Sequence, residues 1–242
     1  MFGGWRRVVM DILENDLSGA LTFVHLHLLR HKISTHQHHD FVRFRKRKKK
    51  LSGIKPSGQF DVKRLSLHKQ NAFWLEWRHK KKAIAIHALR FEDYGDQLLA
   101  DIWSAGQQEL IYGGGKTGTN HSPLANKMSG KIVYGGDFFI HRKYRGIEGL
   151  STSLAIQSFI YAEIKWKPDW IYGFIDKGNI TERGFAQRFT YQHSSPLGTD
   201  WKAPPKGINA DDYLVAMERE ELSWNVRAIA RLGLAGLLRM QS

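Results

Sequence analysis

The stretch Asp137–Ala162, DFFIHRKYRGIEGLSTSLAIQSFIYA, decides how the rest of the chain reads. Phe138-Phe139-Ile140 is a short apolar run of strand character. It enters a basic turn, Arg142-Lys143-Tyr144-Arg145, and passes Gly146 and Gly149 into a segment with apolar residues at Leu150, Leu154, Ile156, Phe159 and Ile160. The spacing predicts strand, turn and helix in that order. The first N–H groups of a helix have no intrahelical acceptor, and the aligned peptide dipoles place about half a positive charge there. Glycine lets the backbone approach a phosphate closely. The segment therefore predicts an anion site, with a pyrophosphate-bearing ligand as the leading expectation.

Working outward, Phe73–Trp77 and Ala83–Leu89 read as two strands, joined through the charged turn Arg78–Lys82. Residues 98–110 are helical or irregular. Lys131–His141 is the next strand, followed by a helix over 150–165, a strand over Asp169–Ile175, a helix over 180–189 and a strand over Tyr213–Glu218. A last amphipathic helix over 221–239 carries Trp224, Ile229, Leu232 and Leu237. At the other end, residues 5–31 read as helix with a break near Asp16-Leu17-Ser18-Gly19. Val8, Val9, Ile12 and Leu13 form one stripe, and Leu21, Val24, Leu26, Leu28 and Leu29 a second. Residues 32–58 are polar and basic, with Gly53, Pro56 and Gly58, and read as a loop or mobile segment. A hairpin followed by alternating strands and helices predicts an α/β (α+β) protein, a mixed central sheet with helices on both sides. The expected division is N-terminal helices and basic loop over 1–58, a core over 59–220 with an insertion near 95–130, and the C-terminal amphipathic helix over 221–242.

Arg145-Gly146-Ile147-Glu148-Gly149-Leu150-Ser151 resembles the acyl-CoA-binding turn of the GNAT N-acetyltransferase superfamily, with one extra residue and with Ser151 where Gly or Ala is usual. Glu148 adds a negative charge beside the expected phosphates. Downstream, a strand over 169–175, then Asn179, then Thr190-Tyr191 at the family's Gly-Phe position extend the resemblance to about residues 70–220. Ala186 stands where the family often has a catalytic tyrosine, so the chain resembles a divergent member. The resemblance implies a GNAT-like sheet, acetyl-CoA or a longer acyl-CoA as donor, and an amine acceptor whose identity the residues do not give. It implies cofactor contacts from Phe139, Ile140, His141, Arg142, Arg145, Gly146, Ile147, Glu148, Gly149, Leu150, Ser151 and Asn179. An N–H within Phe138–His141 would bind the thioester oxygen. Transfer to an amine also needs a proton acceptor. Asp137 on the strand facing the thioester and Glu92 at the end of the preceding strand are the candidates, with Tyr134 and His141 behind them. Tyr191 is the candidate general acid or the family's packing aromatic.

The chain has 242 residues, a formal charge of +14 and no cysteine. Disulfides, thiolate zinc sites and cysteine nucleophiles are excluded. The positive excess favours acidic ligands. No secretory signal and no run of about 20 apolar residues is visible, so a cytoplasmic protein without a transmembrane segment is expected. The run Arg43–Lys50, within the basic segment 42–50, could track nucleic acid, an acidic partner or a membrane surface, or be a solvated loop. Six histidines fall between His25 and His39, yet with no cysteine and one adjacent carboxylate, Asp40, no metal site is expected. Gly115-Lys116-Thr117 resembles the end of a phosphate loop, but the glycine required five residues earlier is Leu110. Gly135-Gly136 predicts a bulge or a close ligand approach.

Overall fold

Along residues 72–77 successive side chains enter two different cores. Phe73, Leu75 and Trp77 pack into one, Ala72 and Trp74 into the other. A strand has a side-chain period of two, so a strand apolar at every position must be covered on both faces. The computed structural model describes the backbone of residues 14–240 and the side chains of residues 14–237, and it shows that cover. The stripe formed by Val8, Val9, Ile12 and Leu13 lies outside the described residues.

In chain order the elements are α1 (Glu14–Arg30), β1 (Ile33–His38), α2 (Phe41–Ser52), β2 (Ala72–His79), β3 (Lys82–Asp93), α3 (Leu99–Ser104), α4 (Gln107–Tyr112), β4 (Lys116–Thr117), β5 (Lys131–Ile140), α5 (Leu150–Trp166), β6 (Trp170–Ile175), α6 (Lys177–Thr181), α7 (Phe185–Arg188), β7 (His193–Ser195), β8 (Trp201–Ala203), β9 (Tyr213–Glu218) and α8 (Arg219–Met240). Seven strands form one sheet in the order β1-β2-β3-β5-β6-β9-β7. Every neighbouring pair is antiparallel except β5 and β6, which are parallel and joined through α5. Helices α1, α5 and α8 cover one face. Helices α2 and α3 cover the other through Phe41, Phe44, Leu99 and Trp103. The mixed sheet flanked on both sides is that expected from the sequence, while β1 and α2 precede the expected first hairpin β2–β3. Among the described residues no helix is long and apolar enough to cross a membrane.

Helix α5 is buried over most of its length, and its polar residues are tied down. Gln157 Oε1 accepts from Trp77 Nε1 at 2.7 Å and from Thr35 Oγ1 at 3.0 Å. Glu163 pairs with Arg219 at 2.8 Å.

Four local expectations are corrected. Residues 32–58 are not a loop: they form β1, which extends the sheet at one edge, and α2. In α2 the basic residues sit on the outer face, while Phe41, Phe44 and Lys48, spaced for one helical face, are buried. Asp40 caps the helix by accepting from Arg43 N at 2.9 Å, and Gly53 ends it with φ 75°. The break expected near Asp16–Gly19 does not occur. Gly19 instead lets α1 approach α8, where an added Cβ would lie 3.2 Å from Ala230 Cβ. The helix expected over 180–189 is two short ones, because Gly184 turns the chain with φ 59°. Finally, the short strands β4, β7 and β8 carry no periodicity to read; β4 and β8 pair with each other, tying the 95–130 segment to the loop before β9.

Lys48 carries a consequence for stability. Its ammonium donates to the Asp137 carbonyl at 2.9 Å and lies 3.4 Å from the Asp137 carboxylate, both side chains being almost wholly buried. Removing one member of such a pair leaves the other uncompensated, at a cost of about 3 kcal/mol or more. We expect Lys48→Met to lower unfolding stability by about that amount in urea titrations. The exposed Lys49→Met should change it by less than about 0.5 kcal/mol.

Candidate active site

The parallel pair β5–β6 is joined over only three residue pairs, Ile132–Tyr134 against Trp170–Tyr172. Beyond them the strands part. At the fork the backbones approach so closely that a Cβ on Gly173 would lie 2.8 Å from the Gly135 carbonyl oxygen. Glycine is required there by contact. One residue further, β5 bulges: Ile86 faces Phe139 and Ala88 faces Gly136, so Asp137 and Phe138 together oppose His87. Asp137 adopts φ 54°. Its carboxylate accepts from Ser57 N at 3.0 Å and faces Lys48. Burial raises its pKa above the ordinary carboxylate value, against the opposing pull of Lys48 and the Ser57 hydrogen bonds.

A cavity of about 280 Å³ fills the fork, lined by Lys48, His87, Gly135, Asp137, Gly173 and Tyr191, among others. His87 is buried, and its Nδ1 lies 3.0 Å from Ser158 Oγ. Burial, aided by the nearby Lys48 charge, lowers its pKa to about 3, so the ring is neutral at ordinary pH. Burial raises the Tyr191 pKa, which keeps the phenol protonated.

A second cavity, of about 560 Å³, adjoins the first and shares Phe138, Asn179, Phe185 and Phe189 with it. Arg145, Arg183, Arg188 and Ser151 line it as well. Arg145 is oriented by donating from Nε to the Ile140 carbonyl at 2.8 Å, its guanidinium 5.4 Å from the Phe139 ring centre. Arg183 donates to Asn179 Oδ1 at 3.1 Å. The cavity lies beside the start of α5, whose N-cap Gly149 (φ 67°) brings no side chain to cap the first-turn amides. Three cations and an uncapped helix start give this wall a positive field, which favours an anion electrostatically.

The residues singled out from the sequence divide accordingly. Phe139, Ile140, Arg145, Ser151 and Asn179 line the arginine-rich cavity. Asp137 and Tyr191 line the fork, where Asn179 meets them. Leu150 is buried in the core. Gly146, Ile147 and Glu148 instead line a groove of about 650 Å³ between the turn, α1 and α8. Glu148 therefore stands on the far side of the turn from the arginines. His141 and Arg142 belong to neither cavity; the His141 ring accepts from Lys143 N at 3.4 Å. Glu92, the second candidate proton acceptor after Asp137, lines neither cavity. It faces Ile132, four positions along β3 from the Ala88–Gly136 pair, or about 13 Å at the usual strand rise. Its carboxylate is held by Arg90 and the Tyr94 hydroxyl. Tyr134 packs in the opposite core against Phe60 and Tyr172.

Sequence reasoning missed Lys48, His87, Arg183 and Arg188. Lys48 follows Phe44 by four residues and Phe41 by seven, a spacing that marks the buried face of α2. His87 is the one polar residue in Ala83–Leu89. Among the described residues no cluster of three or more His, Asp or Glu is arranged to hold a metal ion.

No protein-family model and no curated protein sequence matches the chain. Among solved structures it is similar to Arabidopsis thaliana NAA60 in complex with acetyl-CoA, with 13% identity over 77% of this chain and 98% of that one and a TM-score of 0.47. It is similar to an acetyltransferase of the GNAT family from Streptococcus pneumoniae, with 12% identity over 77% and 99% and a TM-score of 0.43. FeeM, an N-acyl amino acid synthase from uncultured soil microbes, is similar over 92% of this chain and 94% of its own, with 14% identity and a TM-score of 0.39.

The geometry separates the two glycines of the turn. A Cβ on Gly146 would meet nothing within 4 Å, whereas Gly149 needs a positive φ. We expect Gly146→Ala to leave stability unchanged within about 0.5 kcal/mol, and Gly149→Ala to cost about 1 kcal/mol, read by chemical denaturation. A second expectation concerns Asp212, beside Asp176 and Asp211. Burial first, then those two carboxylates, raise its pKa to about 6. The folded chain thus binds this proton more tightly than the unfolded chain. Stability from the group is present below its ordinary value of 3.8 and is lost as pH rises toward about 6. Asp212→Asn should therefore raise Tm at pH 7, with the gain disappearing near pH 4.

Proposed function

We propose that the chain is an acyl-CoA-dependent N-acyltransferase that moves an acetyl or longer acyl group to an amine. One observation carries this reading: the arginine-lined cavity at the start of α5 opens into the fork between β5 and β6. A polyanionic head joined by a thin arm to a reactive acyl group suits such a pair of spaces. The phosphates would meet Arg145, Arg183 and Arg188 and the first-turn amides of α5. The arm would then pass Asn179 and Phe138, and the thioester would reach the bulge. Backbone N–H groups turned out of the ladder at Asp137–Phe138 would stabilise charge developing on the thioester oxygen. Tyr191, protonated and buried in the fork, would supply the proton to the departing thiolate. Asp137 would anchor the bulge, since its carboxylate already faces Ser57 and Lys48. The acceptor amine would enter the fork beside Asp176, which also lines it. A cytoplasmic site of action belongs to the same proposal.

Titration calorimetry with acetyl-CoA and a longer acyl-CoA tests it. We expect saturable one-to-one binding. Arg145→Ala combined with Arg183→Ala should weaken it at least tenfold, since charge-assisted bonds contribute about 1.5–3 kcal/mol each. Wild-type affinity in the double variant removes the cavity as the phosphate site, and no binding by the parent chain removes acyl-CoA as the donor.

A second role is favoured by α2. Arg43, Arg45, Lys46, Lys49 and Lys50 are all exposed on its outer face, a surface suited to a nucleic acid or an acidic partner. Replacing the five with Ser should abolish binding to a short DNA duplex and its salt dependence while leaving acetyl-CoA affinity unchanged. A parent chain with no affinity for the duplex at low salt dismisses the nucleic-acid form of this role.

A further inference from the structure

We propose that His87 takes the proton from the acceptor amine and passes it, through Tyr191, to the departing thiolate; this rests on the acyl-transfer reading above. The first support is a proton count at Ser158. Ser158 Oγ lies 2.9 Å from the Leu154 carbonyl, which can only accept, and 3.0 Å from His87 Nδ1; we assign its single hydroxyl proton to Leu154, which leaves the oxygen to accept from His87. The hydrogen on the imidazole is therefore on Nδ1, and Nε2 carries the lone pair.

The second support is where that lone pair lies. The point at which a side chain on Gly135 would begin is 3.2 Å from His87 Nε2 and 3.5 Å from the Tyr191 hydroxyl oxygen. The corresponding point at Gly173 is 3.2 Å from the same hydroxyl. A side chain at either glycine would crowd these groups, and its absence leaves His87 Nε2 and the Tyr191 hydroxyl as a proton acceptor and a proton donor at one niche of the cavity of about 280 Å³ that both residues line. Among the described residues, no protein group is hydrogen-bonded to either Nε2 or the Tyr191 hydroxyl. Phe138 and Phe159 pack edge-on at 5.1 and 6.0 Å from the imidazole centre and fix the ring. The bulge opposite His87 brings the reacting strand to the same place.

The step balances as follows. The neutral amine attacks the thioester carbon, a C–N bond forms, and the carbonyl electron pair moves to oxygen. The amine proton, made acidic by bond formation, passes to Nε2. The oxygen pair returns, the C–S bond breaks, and sulfur leaves with its electrons. Tyr191 protonates the sulfur and regains a proton from the imidazolium across the niche. Amine and thioester are consumed, amide and thiol are formed, and both residues return to their starting state. Ser158 is the positioning residue, acting through the tautomer. The charged and titratable groups that line the cavity with His87 are Lys48 from α2, Asp137 from β5, Asp176 after β6 and Tyr191 from the segment after α7. Since burial and Lys48 keep the ring neutral, the lone pair is available across the physiological range, and no imidazole inflection near pH 6.5 is expected in kcat.

The test uses the full chain with acetyl-CoA, and with water and hydroxylamine as probe acceptors. Because the chain has no cysteine, a thiol reagent reports released CoA without background. Nitrogen-15 spectra of the imidazole, assigned with His87→Gln, should show Nδ1 protonated and Nε2 bare. His87→Gln and Tyr191→Phe should each lower kcat about 100-fold or more, with the acetyl-CoA Kd within about twofold of the parent. Ser158→Ala should lower kcat about tenfold and mix the two tautomers. Any of three results overturns the assignment: a protonated Nε2, a His87→Gln chain within about threefold of parental kcat, or a parent chain that binds acetyl-CoA and releases no CoA to either acceptor. Variants that lose acetyl-CoA binding together with kcat overturn it too, by pointing to a structural role. Failure of the parent chain to bind acetyl-CoA is a different result, since it removes the acyl-CoA reading itself.

Discussion

A buried ammonium holds the bulge of β5 in place, and the site is organised around that contact. Lys48 reaches from α2 across the face of the sheet to the carbonyl and carboxylate of Asp137. With Asp137 held toward α2, Phe138 faces the α5 side, next to His87 and Phe189. Without that extra residue the remainder of β5 would stay in register with β3, and the side chains after it would point to the opposite faces. The arginine-lined cavity lies on the stretch of β5 that the bulge redirects, and the fork and the niche at Gly135 lie immediately before it. Low dielectric makes the contact strong, and the same property makes it costly to break.

The strands and helices of the central core were legible because they are long and doubly covered. Phe73–Trp77, Lys131–His141, the helix after Gly149 and Tyr213–Glu218 carry apolar residues at nearly every position or at clear periods. The N-terminal basic segment was not legible for the opposite reason. In α2 two phenylalanines and one lysine make the buried face, and a lysine does not register as an anchor until its partner is known. Strand β1 is Ile-Ser-Thr-His-Gln-His, with one fully apolar residue, and joins the sheet by backbone pairing at an edge. The basic turn into α5 was read from Arg145, Gly149 and Ser151, but its division into two faces was not. Gly146, Ile147 and Glu148 turn toward α1 and α8 only because the helix entry at Gly149 has left-handed geometry. Glu92 was named as an alternative to Asp137 from its place at a strand end; register puts it away from the fork, and register is set by hydrogen bonding that no local pattern encodes. His87 was missed although it is the one polar residue of an apolar strand, since its partner Ser158 lies 71 positions later.

Helix α2 turns two chemically different faces to its surroundings. Its inner face supplies Lys48 to the fork, and its outer face carries five exposed cations. Both faces come from the same run of eight residues, in which helical periodicity sorts like charges to opposite sides. One lysine is desolvated and position-specific. The others are hydrated and interchangeable, and they remain subject to screening by salt.

The order of strands in the sheet bears on how the chain is made. Strand β7 pairs only with β9, yet β9 follows it in sequence and lies between it and the rest of the sheet. His193–Ser195 thus leaves the ribosome with no edge to join, and stays unpaired until Tyr213–Glu218 has docked on β6. At ~5–20 residues per second of synthesis, that wait is on the order of one to a few seconds. Tyr191 lies directly before β7. The half of the fork that carries the phenol is therefore closed from the C-terminal side, after the basic turn and α5 have already emerged.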